Sequence, residues 1–135
     1  MKAHFDHEKL DVYQEAIRFV AWAGDLLETL PKSLAAYDQL DRASTSIALN
    51  IAEGNGKYTA PDRCRFFDIA RGSALECAAC LDVLVAKKRL VCAEQGKEML
   101  VPIVSMLVGL IRSTSSERVH EEPAEYEADN RRRAD

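Results

Sequence analysis

No segment of this 135-residue chain alternates polar and apolar residues for long enough to make a convincing strand, which argues against a β fold and predicts an all-α one. Glycine and proline are scarce, at six and four residues, and no glycine-rich phosphate loop is present, which argues against a nucleotide-cradling site. The longest run without a charged residue is Met99–Ile111, 13 residues. A helix needs ~20 apolar residues to cross a bilayer, so no membrane role is expected. The first ten residues, MKAHFDHEKL, have no apolar stretch after Lys2 and do not read as a signal peptide. The expected location is therefore the cytoplasm, where Cys64, Cys77, Cys80 and Cys92 stay reduced.

Catalytic and metal-binding patterns are also missing. Di-metal helical proteins present Glu-x-x-His motifs, and this chain has none. Glu53 and Glu76 have no histidine in the helical region to act with them, so no catalytic residue is assigned and the chain is not expected to be an enzyme. Cys77-Ala78-Ala79-Cys80 is a CxxC placed mid-helix, without a second pair of ligands, and reads as core rather than as a redox or zinc motif. His4 and His7 lie among Asp6 and Glu8 near the start of the chain, and His120 lies near the end; all read as solvated residues. No metal or cofactor is expected.

What the chain does have is helical periodicity. Hydrophobic residues make up 47%, normal for a globular protein, and the length suits one domain. Four helices are predicted, over about 7–30, 36–53, 59–88 and 93–113. Thr59, Pro61 and Asp62 form the N-terminal signal of the third: a cap, a first-turn proline and an acid at the positive helix end. Gly54 and Gly56 are expected to stop the second. Pro102 falls inside the fourth and should bend it. Short connections favour antiparallel neighbours, so an up-down-up-down four-helix bundle over 1–114 is expected. Residues 115–135 turn sharply polar and contain Pro123 and Arg131-Arg132-Arg133, which reads as a disordered charged tail.

The first helix carries two apolar lines. Leu10, Tyr13, Ile17, Ala21, Gly24 and Leu27 form one; Val12, Phe19, Ala23 and Leu26 form the other. The third and fourth helices are apolar nearly all round, which exceeds what four helices can bury among themselves. A homo-oligomer is therefore expected, with Val12, Phe19, Ala23 and Leu26 as its candidate interface.

The second helix carries a polar stripe at Gln39, Arg42, Ser46, Asn50 and Glu53, made mostly of short or singly charged side chains rather than freely hydrated Lys and Glu. Such a line suggests packing against a neighbour. A hairpin turning near residues 57 and 58 would set Ser46 opposite Ile69 and Arg42 opposite Ser73, one turn from Glu76. An Arg42–Glu76 ion pair fixing helix register follows as an expectation.

Basic residues gather along the third helix: Lys57, Arg63, Arg65 and Arg71 near Tyr58, Phe66 and Phe67, then Lys87, Lys88 and Arg89 at its end. They could grip an RNA backbone while rings stack on bases. The plainer reading is a solvated helix whose terminal bases complement its dipole. Formal charge is −4 over 1–56, +3 over 57–116 and −3 over 117–135, −4 in all, which argues against a general polyanion binder but leaves room for a local basic face.

Three segments carry a family likeness. Asn50-Ile51-Ala52-Glu53-Gly54 after Ser46-Ile47, Leu10-Asp11-Val12-Tyr13-Gln14-Glu15-Ala16, and Phe66 to Glu76 together resemble the four-helix-bundle proteins related to those encoded in intervening sequences of bacterial 23S rRNA genes. The resemblance spans roughly residues 8 to 116. It implies the four-helix bundle and a ring-like homopentamer. It also implies an accessory role alongside RNA, or alongside a reverse transcriptase and its RNA, as in similar proteins of retroelements. The alternative is a protein interaction scaffold that binds no nucleic acid.

Overall fold

A computed structural model describes residues 2–121. Its elements are a short 3-10 turn at Asp6–Lys9, then α1 (Asp11–Glu28), α2 (Ala35–Gly56), α3 (Ala60–Ala86) and α4 (Glu94–Glu121). The described residues contain four helices and no strand. One core joins all four helices; its largest fully enclosed side chains include Phe19 of α1, Leu40, Ile47 and Ile51 of α2, Phe67 and Leu81 of α3, and Ile103 and Leu107 of α4.

The ends follow from local chemistry. Thr59 caps α3 by accepting a hydrogen bond from the Asp62 backbone N–H at 3.4 Å, and Pro61 occupies the first turn. At the other end of α3, Lys88 takes φ 60°, Arg89 N–H donates to the Leu84 carbonyl at 2.9 Å, and Lys88 N–H donates to the Val85 carbonyl at 3.0 Å. This is a Schellman stop with lysine where glycine is usual. Pro102 lies within α4 on its exposed side, and the carbonyl it leaves without a partner belongs to the solvent-facing Glu98. α4 continues to Glu121, past the expected boundary at 114, because no glycine or proline interrupts it until Pro123. The remainder of the expected tail, including Arg131-Arg132-Arg133, lies outside the described residues. By length and composition alone, Glu94–Ser116 could cross a bilayer; here it packs on α1 and α3 with Leu100, Ile103 and Leu107 buried.

Two expectations are corrected here. Val12, Phe19 and Ala23 are not an outer face: they are 3%, 0% and 0% exposed and form the core stripe of α1 with Ala16 and Leu27, while Leu26 is half-buried against that core. The competing line is the outward one, with Ile17, Ala21 and Gly24 exposed. Its neighbours Arg18, Asp25 and Glu28 lie one turn from it and need water. The second correction concerns Gly54. It does not stop α2, which runs on to Gly56, and no glycine among the described residues has positive φ. Gly54 is buried inside the helix, where an added Cβ would lie 2.8 Å from Phe67 Cε1 and 3.1 Å from Phe66 Cβ. It is there so that α3 can approach closely.

Candidate nucleic-acid interface and polar seam

The polar stripe of α2 meets α3 at one point. Ser46 Oγ and Ser73 Oγ share a hydrogen bond of 2.8 Å. Asn50 Nδ2 donates to the Ser46 carbonyl at 2.8 Å and to Ser46 Oγ at 2.9 Å. Ser73 is buried, while Ser46 and Asn50 are half-buried. The expected partner of Ser46 was Ile69; Ser73 lies four residues further, about one helical turn. The hairpin connection is short and tight, but Gly54 permits a deeper approach near the turn, where the Phe67 ring and the Phe66 Cβ lie over it.

The expected Arg42–Glu76 ion pair does not form, although Ser46 opposite Ser73 places Arg42 level with Cys77, next to Glu76. Both side chains are exposed, and neither takes part in an ion pair within 4.0 Å among the described residues. Gln39 and Glu53 are exposed as well. Of the seven residues in the expected polar motif, Ser46, Asn50 and Ser73 come together, and Gln39, Arg42, Glu53 and Glu76 stay in water. A charged pair would have lost its hydration by closing on this seam, whereas two hydroxyls and an amide satisfy one another at little cost. Asp41, Arg42, Thr45, Ser46, Leu49, Asn50 and Glu53 line a shallow open depression beside it. Leu49 is 60% exposed, and Ile69, one turn before Ser73 on α3, is 43% exposed.

The candidate basic residues separate into groups. Lys57 and Arg65 meet at the α2–α3 connection, and Arg63 lies between them in the sequence. Lys57 Nζ lies 4.9 Å from the centre of the Phe66 ring and the Arg65 guanidinium 4.6 Å from the same centre. Such placements attract a cation to the ring. Arg63 is half-buried, and its Nε makes no hydrogen bond among the described residues. Arg65 approaches Asp62 only loosely, at 3.9 Å. Tyr58 is wholly exposed between Lys57 and Thr59. Arg71, in contrast, is committed to Asp68 through two hydrogen bonds of 3.1 and 3.0 Å. Lys87, Lys88 and Arg89 lie at the far end of α3, about 40 Å away at 1.5 Å per residue, and Lys88 serves the helix stop. Of the seven candidate bases, Lys57 and Arg65 converge on one ring.

The cysteines sit as core reasoning expects. Cys77 and Cys80 are buried, and all four are free thiols. Burial, with smaller contributions from Cys80 and Glu76, pushes the Cys77 thiol up to about 12; burial and then Glu76 raise Cys80 as well. Cys64 anchors α3 to α4, its thiol meeting the Ile111 carbonyl at 3.7 Å and Ser115 Oγ at 3.5 Å. Near the N-terminus, the Asp6 carboxylate accepts a 3.0 Å hydrogen bond from Asn55 Nδ2, and His7 packs edge-on against Tyr13. No three His, Cys, Asp or Glu side chains among the described residues converge on a metal-sized site.

These features define a four-helix, all-α protein with a serine–asparagine seam and a small basic-aromatic corner. The description of the 23S rRNA-intervening sequence protein family matches residues 8–109, and the chain belongs to that family. A 1.70 Å crystal structure of a protein with unknown function from the S23 ribosomal protein family of Bacteroides thetaiotaomicron VPI-5482 is similar, with a TM-score of 0.67 and 24% identity, covering 74% of this chain and 97% of that one. At that identity the likeness establishes the fold. No curated protein matches the chain.

Proposed function

We propose that this protein is a non-enzymatic, homo-oligomeric four-helix bundle that serves as an RNA or ribonucleoprotein accessory protein in the cytoplasm. It works by binding, with no cofactor and no membrane. An up-down-up-down path is supported by the pairing of Ser46 with Ser73 and Gly54 with Phe67 across α2 and α3, and of Cys64 with Ile111 and Asp82 with Lys97 across α3 and α4. The single observation that carries the RNA reading is the convergence of Lys57 and Arg65 on the ring of Phe66, with Arg63 nearby in sequence, at one corner of an otherwise acidic chain. Family membership gives that corner its context. A reverse transcriptase with its RNA is one form such a partner takes.

Self-association is supported by apolar side chains left in water. Leu49 and Ile69 flank the serine seam, and Val83 and Val101 are 43% and 66% exposed on α3 and α4. A ring of five is the assembly proposed from the family likeness. Sedimentation equilibrium at micromolar concentration tests it, and a clean 15.0 kDa monomer would refute it.

Filter binding with structured RNA at low and moderate salt tests the RNA role. Binding that weakens steeply with salt, and a shallower slope in Arg63→Ala and Arg65→Ala, are expected. The second reading, a protein interaction scaffold, is favoured by the open depression on α2 with Leu49 at its edge. An absence of RNA binding at low salt selects it.

A further inference from the structure

Tyr58 stands apart from every other aromatic side chain of the described residues. It is 103% exposed, packs on nothing, and occupies the connection between α2 and α3. Phe66 beside it differs: its ring is engaged by Lys57 and Arg65 at 4.9 and 4.6 Å. The segment 57–66 holds Lys57, Arg63 and Arg65 against the single acid Asp62, a local +2 within a chain of net −4. Asp62 reaches Arg65 only at 3.9 Å, a contact that an incoming phosphate can replace. Asp6 is occupied by Asn55, while exposed Glu53 lies one turn before Lys57 at the end of α2. One corner thus offers cations able to follow a phosphate backbone and one ring with both faces open.

We propose that Tyr58 is a stacking platform for an unpaired base, and that the Lys57–Arg65 corner therefore selects single-stranded over double-stranded RNA. The inference rests on the RNA reading above and adds the class of RNA to it. A duplex buries its base faces in its own stack, so an open ring at the protein surface gains nothing from it; an unpaired nucleotide can lay its base on the phenol. The cations supply most of the affinity and the ring supplies the preference for single strands.

Fluorescence anisotropy tests this on the full chain, using labelled oligouridine of about twelve nucleotides, within the range of single-strand site sizes, and a duplex of equal length. Tyr58→Ala should weaken oligouridine binding about 5- to 150-fold, the loss expected for one stacked base. Tyr58→Phe should retain binding. Because no charge is removed, the salt slope of Tyr58→Ala should equal that of the unsubstituted protein, while Arg65→Ala should lower it by about one. Tyr58 makes no packing contact, so the variants should melt with the parent.

Equal binding by Tyr58→Ala, loss in Tyr58→Phe matching that in Tyr58→Ala, or equal affinity for the duplex would each overturn the stacking role. If Arg65→Ala still lowers the salt slope in those cases, the RNA reading survives without it. If neither RNA binds at low salt, both fall and a protein partner takes the corner.

Discussion

Replacing Gly54 by alanine adds one methyl group where α2 and α3 come closest, and the added Cβ would lie 2.8 and 2.9 Å from two atoms of the Phe67 ring. Ordinary contact begins at 3.4 Å, so the helices or the ring must give by about half an ångström. Phe67 is 0% exposed and cannot swing into solvent. Overpacking of this kind costs about 1–3 kcal/mol, and a rigid ring places it toward the upper end. Alanine returns about 1 kcal/mol in helix propensity. The net expectation is a loss of about 1–2 kcal/mol, or roughly 3–8 °C in Tm for a domain of this size. Gly24→Ala is the control: it lies inside α1, is exposed, and its added Cβ meets nothing within 4 Å. It should gain about 0.5–1 kcal/mol from propensity alone. Urea unfolding followed by far-UV circular dichroism, at one protein concentration for all variants, gives both values with unchanged m. Two stabilised variants, or a Gly54→Ala protein equal to the parent, would refute the claim that this glycine exists for close approach.

Three further outcomes are expected. Ser46→Ala and Ser73→Ala should each cost about 1 kcal/mol, and the double variant less than their sum, because the 2.8 Å hydrogen bond is lost only once; additive losses in a double-mutant cycle would exclude that coupling. Lys88→Gly should raise stability by about 0.5–1 kcal/mol in the same unfolding experiment, since it relieves a lysine held at φ 60°, net of the extra freedom glycine gives the unfolded chain. Cys77 should make stability fall as pH rises: its thiol ionises near 9.0 when unfolded but at about 12 when folded, so the unfolded state sheds its proton first and gains across that window. The contribution is complete below the unfolded value and disappears as pH climbs through the folded one, and Cys77→Ala should show a flatter decline than the parent in unfolding titrations run across that range.

The helices and the start of α3 were legible in the chain itself, because periodicity and N-terminal signals are local. Thr59, Pro61 and Asp62 specify the start of α3 wherever that helix packs. The burial of Cys77 and Cys80 was legible for the same reason, since a mid-helix pair lacks the surroundings that redox or zinc chemistry needs. The three motifs that resemble the family also lie within the residues its description matches.

Which apolar face of α1 turns inward was not legible. Both lines have helical spacing, and only packing against α2 and α4 in the shared core selects the one through Phe19 over the one through Ile17. The register of α2 on α3 was a matter of one turn, decided by how closely two backbones approach at Gly54 and hence by the shape of a neighbouring ring. That turn set Ser73, in place of the expected Ile69, opposite Ser46. The meeting of Lys57 and Arg65 at Phe66, and their distance from Lys87, Lys88 and Arg89, follow from where a continuous 27-residue helix begins and ends. Local pattern chose the elements of this protein; the mutual fit of side chains far apart in the chain chose which surfaces they show, because burial is a property of neighbours that no single segment contains.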